Sequence, residues 1–220
     1  LARRSTHIAK LRAEGVPFLQ VDSGSMLWKS SAVASQDLEQ RKQKANLLFA
    51  AMAQLGVDAL TVGEGDLAFG VDFVTEGAKK HALPYVSANL KTAAGVPLFP
   101  DALIVEKGGL KIGITGATSS RYAGLGVQAL PVADSVRSVV ERLRTEDKVD
   151  LVVLLSHQGL EEDRKLAEAV PGIDVIFSAH DRRMQFDPLV VGDTAIFEAG
   201  SRGKHLGQVQ LRLQAGRKGW

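Results

Sequence analysis

Two apolar runs each break off at a histidine, and they constrain the fold more than any other feature of the chain. Leu151-Val152-Val153-Leu154-Leu155-Ser156-His157 and Ile173-Asp174-Val175-Ile176-Phe177-Ser178-Ala179-His180 are short, bulky and rich in β-branched residues. Runs of that length and type read as buried strands. A buried strand that ends in a ligand-type side chain sets it on the rim of a sheet, where α/β proteins keep their sites. Two rims carrying imidazole point to a metal centre.

The rest of the chain alternates helical and β-rich segments. Thr6 to Ala13 reads as a helix stopped by Gly15, and Pro17 to Asp22 as a strand. Gln36 to Leu55 reads as a long helix with Leu47, Leu48, Ala51, Met52 and Leu55 on one stripe and Gly56 as its stop. Asp58 to Val62 is a strand, Val71 to Ala82 a helix and Tyr85 to Asn89 a strand. Leu103 to Glu106 and Leu110 to Thr115 flank a Gly108-Gly109 turn and predict a hairpin, so the sheet is mixed. Val136, Val139, Val140 and Leu143 mark a helix before the strand that ends at His157, and Glu161 to Ala169 another before the strand that ends near His180. Thr194 to Glu198 and Leu206 to Leu213 read as the last strands. No repeat, low-complexity tract or linker divides the chain, which predicts one α/β domain over residues 1–220.

Composition excludes several classes of partner. The 27 basic and 25 acidic residues are mixed along the chain rather than massed, which gives no case for nucleic acid or a membrane surface. No apolar stretch approaches the roughly 20 residues needed to cross a bilayer. Cysteine is absent, so neither disulfides nor thiolate ligands enter. Because the chain opens on Leu1, the expectation is a processed or trimmed product, compatible with a removed signal peptide.

Four strand ends collect polar residues: Asp22-Ser23-Gly24-Ser25, Gly63-Glu64-Gly65-Asp66, Ser156-His157 and Ala179-His180-Asp181. Imidazole and carboxylate without thiol suit divalent zinc, manganese or iron. The candidate ligands are His157, His180, Glu64 and Asp66. Neither a P-loop lysine nor a dinucleotide spacing accompanies the glycines of 63–70. No nucleophile-elbow context surrounds Ser25, which speaks against covalent catalysis and leaves no catalytic residue assigned. His7, His81 and His205 sit beside basic residues and read as solvated.

Several stretches together resemble the metallophosphoesterase domain of the 5'-nucleotidase and UDP-sugar hydrolase family, of the calcineurin-like superfamily. They are Leu1-Ala2-Arg3-Arg4, Val21-Asp22-Ser23-Gly24, Ala59 to Gly63, Ser87-Ala88-Asn89, Leu155-Ser156-His157-Gln158-Gly159, Pro171 to Ile176 and Glu198-Ala199-Gly200-Ser201-Arg202-Gly203. The resemblance implies a four-layer α/β/β/α sandwich of mixed sheets. It also implies two divalent metals at strand ends, hydrolysis of nucleotide or other phosphate esters, and a periplasmic or secreted address.

By that resemblance His157 and His180 match metal-binding histidines, while other family positions are altered. Ser25 stands for a bridging Asp, Glu64 for an Asn ligand, Gly65 and Ala68 for the catalytic His and Asp, and Arg182 for a later ligand. The Asp-x-His segment that opens the family's domain and the family's C-terminal nucleotide-binding domain have no counterpart in the sequence. A hydroxyl at 25 cannot supply the shared charge that holds two cations roughly 3.5 to 4 Å apart. Loss of the proton donor removes general-acid help, typically about 100-fold or more. The expectation is a weakly active or inactive domain with a structural or protein-partner-binding role, a pseudoenzyme in which metal occupancy is low. The alternative is an active metal-dependent phosphohydrolase with a remodelled site on Glu64, Asp66, His157 and His180, with Asp22 or Asp181 nearby.

Overall fold

The run 151–157 is the centre of the molecule, because both of its faces find apolar cover. A computed structural model describes residues 2–123, 125–201 and 203–211. In chain order the elements are α1 (Ala2–Ala13), β1 (Val21–Asp22), α2 (Leu38–Leu55), β2 (Ala59–Leu60), α3 (Glu64–Leu67), α4 (Val71–Lys80), β3 (Leu90–Thr92), β4 (Ala102–Lys107), β5 (Leu110–Thr118), β6 (Val127–Ala129), α5 (Val132–Thr145), β7 (Leu151–His157), α6 (Leu160–Ala169), β8 (Val175–Ser178), β9 (Leu189–Val191) and β10 (Thr194–Phe197).

Six strands form a mixed sheet in the order β4-β5-β7-β8-β10-β9, with smaller pairs β1-β2 and β3-β6. Strands β5, β7, β8 and β10 run parallel, and antiparallel β4 and β9 close the edges. The β4–β5 hairpin turns on Gly108 and Gly109, both at positive φ (60° and 78°), as a two-residue turn requires.

Side-chain alternation along β7 sorts three cores between four layers. Val152 and Leu154 pack with Val136, Val140 and Leu143 of α5 and Leu166 of α6. Leu151, Val153 and Leu155 point the other way, against Ala59 and Val86 and the partly buried Leu19 and Val21. Beyond β1-β2, Leu60 and Val62 meet Ile8 of α1, Phe49 and Met52 of α2 and Val74 of α4. The order is therefore helices, large sheet, small sheet, helices: the α/β/β/α sandwich. Leu154 and Leu155 have no exposed surface, and truncating either to Ala costs about 2–5 kcal/mol.

Several local expectations need correction. The β1 pairing covers Val21–Asp22 only, not 17–22, because Pro17 brings no N–H and Gln20 spends its N–H on the Asp58 carboxylate. Of the expected α2 stripe Leu48, Met52 and Leu55 face the core, joined by Ala45 and Phe49, while Leu47 is 63% exposed. Close approach of Gly77 in α4 to the Phe49 ring fixes that rotation, since a Cβ at Gly77 would lie 2.2 Å from the ring. Tyr85 to Asn89 forms no regular strand: Tyr85 makes a parallel bridge to Leu60, and the N–H groups of Ser87 and Ala88 donate to the Pro100 and Gly116 carbonyls. His81 is half-buried and stacks on Phe49 with centroids 6.2 Å apart, rather than standing in solvent. Residues 206–211 form no strand, and Arg212 and Leu213 of that expectation lie outside the described residues. An unforeseen strand, β9, pairs with β10 instead.

Candidate metal centre

The C-terminal ends of strands from both sheets meet on one side, stitched by side chains. In the register of the large sheet Thr118 lies opposite His157, and Ser156 opposite Ser178. Thr118 Oγ1 donates to the Val62 carbonyl (2.6 Å), and Ser23 Oγ to the Phe177 carbonyl (2.7 Å). These bonds bring the loops after β1 and β2 over the ends of β5, β7 and β8.

Three of the four candidate ligands converge there. Ligand atoms of Glu64, His157 and His180 lie within 4.8 Å of one another. Glu64 Oε2 is 2.6 Å from His157 Nε2, and Glu64 Oε1 is 3.6 Å from His180 Nδ1. The two imidazoles meet edge to face with centroids 5.7 Å apart. His157 Nδ1 is 2.7 Å from the Ser23 carbonyl, a pure acceptor, so Nδ1 carries a hydrogen and Nε2 is the atom turned to Glu64. A lone pair and a carboxylate oxygen at 2.6 Å repel unless a cation sits between them. At that spacing the cation is a proton, shared in a short hydrogen bond; the donor set of one carboxylate and two imidazoles also fits a borderline divalent ion, which would replace that proton and spread the pair.

Electrostatics agree with that geometry. Burial opposes charge on Glu64, but the His157 bond and charge outweigh it and hold the carboxyl at about 2. Burial alone would lower His157; the Glu64 bond and charge override it, and the imidazole is raised above its ordinary value. His180, without so close a partner, is lowered by desolvation.

Asp66 is placed differently. It is fully buried, and its oxygens accept from the backbone N–H groups of Gly63 (2.8 Å), Ser25 (2.8 Å) and Leu27 (3.0 Å). Burial raises its carboxyl to about 6 against those bonds. It staples the 25–27 loop to the start of α3 and stands outside the Glu64, His157, His180 group. Asp22 lies near enough to His157 to feel its charge but is paired with Arg4 at 3.6 Å, and Asp181 accepts from the Leu160 N–H at the start of α6.

The altered positions have concrete surroundings. Ser25 Oγ lies 3.1 Å from Glu64 Oε2 and 3.0 Å from His157 Nε2, and accepts from Gly65 N–H (3.0 Å). A Cβ built on Gly65 would fall 1.9 Å from the Trp28 carbonyl oxygen, so the space a side chain needs there is filled by backbone. Ala68 ends α3 and packs on the outer apolar core. Arg182 is exposed and donates to the Lys29 carbonyl (3.1 Å). Ser25, His180 and Arg182 all have positive φ (54°, 97°, 62°), a cost of about 1–3 kcal/mol each that only a tightly determined surrounding sustains.

Sequence reasoning missed Tyr122. Its hydroxyl is 3.0 Å from His180 Nδ1, and the Arg121 guanidinium sits 5.8 Å from its ring centroid. The signal was available: β5 ends at Thr118 beside β7, making Ser119 to Tyr122 a fifth polar strand end. Asn89 is fully buried and brackets Thr118, donating to its carbonyl (2.7 Å) and accepting from its N–H (3.0 Å), so it fixes that end.

No protein-family model matches the chain. Over 110 residues, half of its length, it is 33% identical to an uncharacterized metallophosphoesterase of Bacillus subtilis, YunD, 24% of which is covered. It is 28% identical over 201 residues to a 5'-nucleotidase of Vibrio vulnificus, spanning 87% of this chain and 35% of that one. The chain thus spans about a quarter to a third of these curated relatives. The crystal structure of the calcineurin-like phosphoesterase YfkN from Bacillus subtilis shares the fold, with a TM-score of 0.72 at 21% identity over 91% of this chain and 73% of that one. In sequence and in fold, the chain resembles the metallophosphoesterase domain of the 5'-nucleotidases and other calcineurin-like phosphoesterases.

Proposed function

We propose that this is a single 5'-nucleotidase-like phosphoesterase domain that holds at most one divalent ion, on Glu64, His157 and His180, and hydrolyses phosphate esters weakly or not at all. The observation that carries the reading is the Trp28 carbonyl in the space next to Gly65. A general acid attached at 65 has no room, Asp66 is consumed by three backbone bonds and Ala68 is apolar. Ser25 brings a hydroxyl where a bridging anion would be needed for a second ion.

A bound ion would supply Lewis-acid polarisation of a phosphoryl oxygen. The chain's own residues contribute the remainder. Tyr122 and Ser25 bring hydroxyls to the edge of the cluster, and Arg121 and Arg182 bring positive charge nearby. Such groups bind and orient an anionic ester without providing a leaving-group proton at 65. A nucleotide or other phosphate ester is accordingly the ligand class, with a structural or protein-partner-binding role and a periplasmic or secreted address as the setting. No helix among the described residues is long and apolar enough to cross a membrane.

The test is metal analysis after zinc or manganese loading, together with hydrolysis of AMP and p-nitrophenyl phosphate. One ion or fewer per chain, with turnover at least 100-fold below a two-metal 5'-nucleotidase assayed alongside, is expected. Two ions per chain and ordinary enzymatic turnover would sink the reading.

A further inference from the structure

Asp163 is a buried carboxylate outside the candidate centre, yet it is bonded to the backbone neighbours of the first histidine. It has no exposed surface. Its Oδ1 accepts from Ser156 Oγ (2.5 Å) and from Gln158 Nε2 (2.8 Å), the residues on either side of His157. Ser178 lies directly opposite Ser156 in the β7–β8 register, two residues before His180. The carboxylate therefore bonds both neighbours of His157, and the β7–β8 pairing links that strand end to the one that precedes His180. Asp163 is itself held by the first turn of α6, whose opening N–H at Leu160 is capped by Asp181 (2.9 Å), the residue after His180. Gly159, at φ 100°, leaves room for that cap, since a Cβ there would lie 2.8 Å from Asp181 Oδ1.

We propose that Asp163 is a positioning residue: through Ser156 and Gln158 it fixes the placement of the His157 imidazole relative to Glu64 and His180, and so sets the affinity of the Glu64, His157, His180 group for a divalent cation. The proposal rests on the metal-holding reading above, but its structural half stands apart from any ion. A carboxylate placed only for folding would bond wherever donors were available. This one takes both its donors from the residues flanking His157, where a tilt of the strand end changes the direction of a ring nitrogen. Groups one layer behind metal ligands typically tune affinity about 10- to 100-fold.

The experiment compares wild type, Asp163→Asn and Asp163→Ala. Zinc dissociation constants are measured by competition with a chromogenic chelator, at a temperature where circular dichroism shows each protein folded. Histidine side-chain 15N–1H spectra are recorded on the metal-free proteins. Asp163→Asn keeps an acceptor at Oδ1 and is expected to stay within about threefold of wild type in zinc affinity. Asp163→Ala is expected to lose about 10- to 100-fold, with the His157 ring signals shifted or averaged in metal-free protein and restored in Asp163→Asn. If Asp163→Ala does not fold, Ser156→Ala, which removes one of the bonds, takes its place with a smaller change in the same direction. If wild type binds no zinc, the metal reading fails and the metal-free spectra alone decide this one. A folded Asp163→Ala, or its substitute, with wild-type His157 signals overturns the positioning role, as does unchanged zinc affinity where wild type binds; a loss of melting temperature alone marks an ordinary core residue.

Discussion

His157 Nε2 lies 2.6 Å from Glu64 Oε2 while its other ring nitrogen is bound to the Ser23 carbonyl, so the imidazole is fixed in tautomer and aimed at a single carboxylate. Strand β7 supplies the histidine and the first turn of α3 the glutamate, from two different sheets' strand ends. The pair is thus a tie between the two sheets as well as the heart of the candidate centre.

Replacing Glu64 by Gln removes the charge that balances His157. The charged hydrogen bond is worth about 1.5–3 kcal/mol, and a loss of that size is expected in urea unfolding. Zinc binding is expected to weaken at least 100-fold. A Glu64→Gln protein with unchanged unfolding midpoint and zinc affinity would contradict the roles given to this pair.

Divalent ions stabilise whatever state holds them. At a concentration 100 times its dissociation constant an ion adds about 2.7 kcal/mol, a rise of about 5–10 °C in melting temperature for a chain of this size. Zinc or manganese should produce that shift in wild type and none in His157→Ala or His180→Ala. A shift of equal size in His180→Ala would remove that residue from the centre.

Gly65 is the place to test whether lost chemistry can be restored by one substitution. Gly65→Ala is expected to cost about 1–3 kcal/mol or more, because the Trp28 carbonyl must move. Gly65→His, which rebuilds the residue that the family resemblance would put there, is expected to be at least as destabilised and no more active on p-nitrophenyl phosphate. A stable, active Gly65→His protein would show that the 25–28 loop yields easily.

Asp163 gives a pH dependence with a definite sign. Burial, opposed by its bonds from Ser156 and Gln158, raises its carboxyl to about 6 in the folded chain, against about 3.9 for a free aspartate. The folded state therefore binds the proton more tightly. The stabilisation from this group is fully present below about pH 4 and is lost as pH rises through about 6, a change of about 2–3 kcal/mol. Asp163→Asn has no such carboxyl, so its stability relative to wild type should improve by that amount between pH 4 and 7.5 in urea titrations. Asp66, also raised to about 6, leaves a similar slope in both proteins and does not mask the difference. A constant difference across that range would mean Asp163 titrates as it does in the unfolded chain.

What could be read from the sequence follows from how local its cause is. Strand β7 was legible from end to end, because a run from Leu151 to Leu155 buried on both faces leaves no other reading. Helices α5 and α6 were legible from their apolar spacing. The α2 stripe was legible in Leu48, Met52 and Leu55, but Leu47 and Leu48 are neighbours of equal hydropathy, and the close approach of Gly77 to Phe49 favours the face that leaves Leu47 outside. At the site, Glu64, His157 and His180 were named from strand ends alone, and their meeting depends on bonds such as Ser23 to Phe177 that span 154 positions of sequence. Asp66 was named for the same reason and sits elsewhere, since a carboxylate beside three free backbone N–H groups caps before it coordinates. Tyr122 has no motif at all, and becomes visible only once β5 is laid beside β7.

The backbone that fills the space beside Gly65 also fixes the order in which change can proceed. A chain that drifts one residue at a time can reshape the 25–28 loop first and install an imidazole afterwards, but the opposite order passes through a folding defect. Position 65 therefore behaves as a ratchet, which a survey of natural variants at 25–28 and 65 would display as paired rather than independent substitutions.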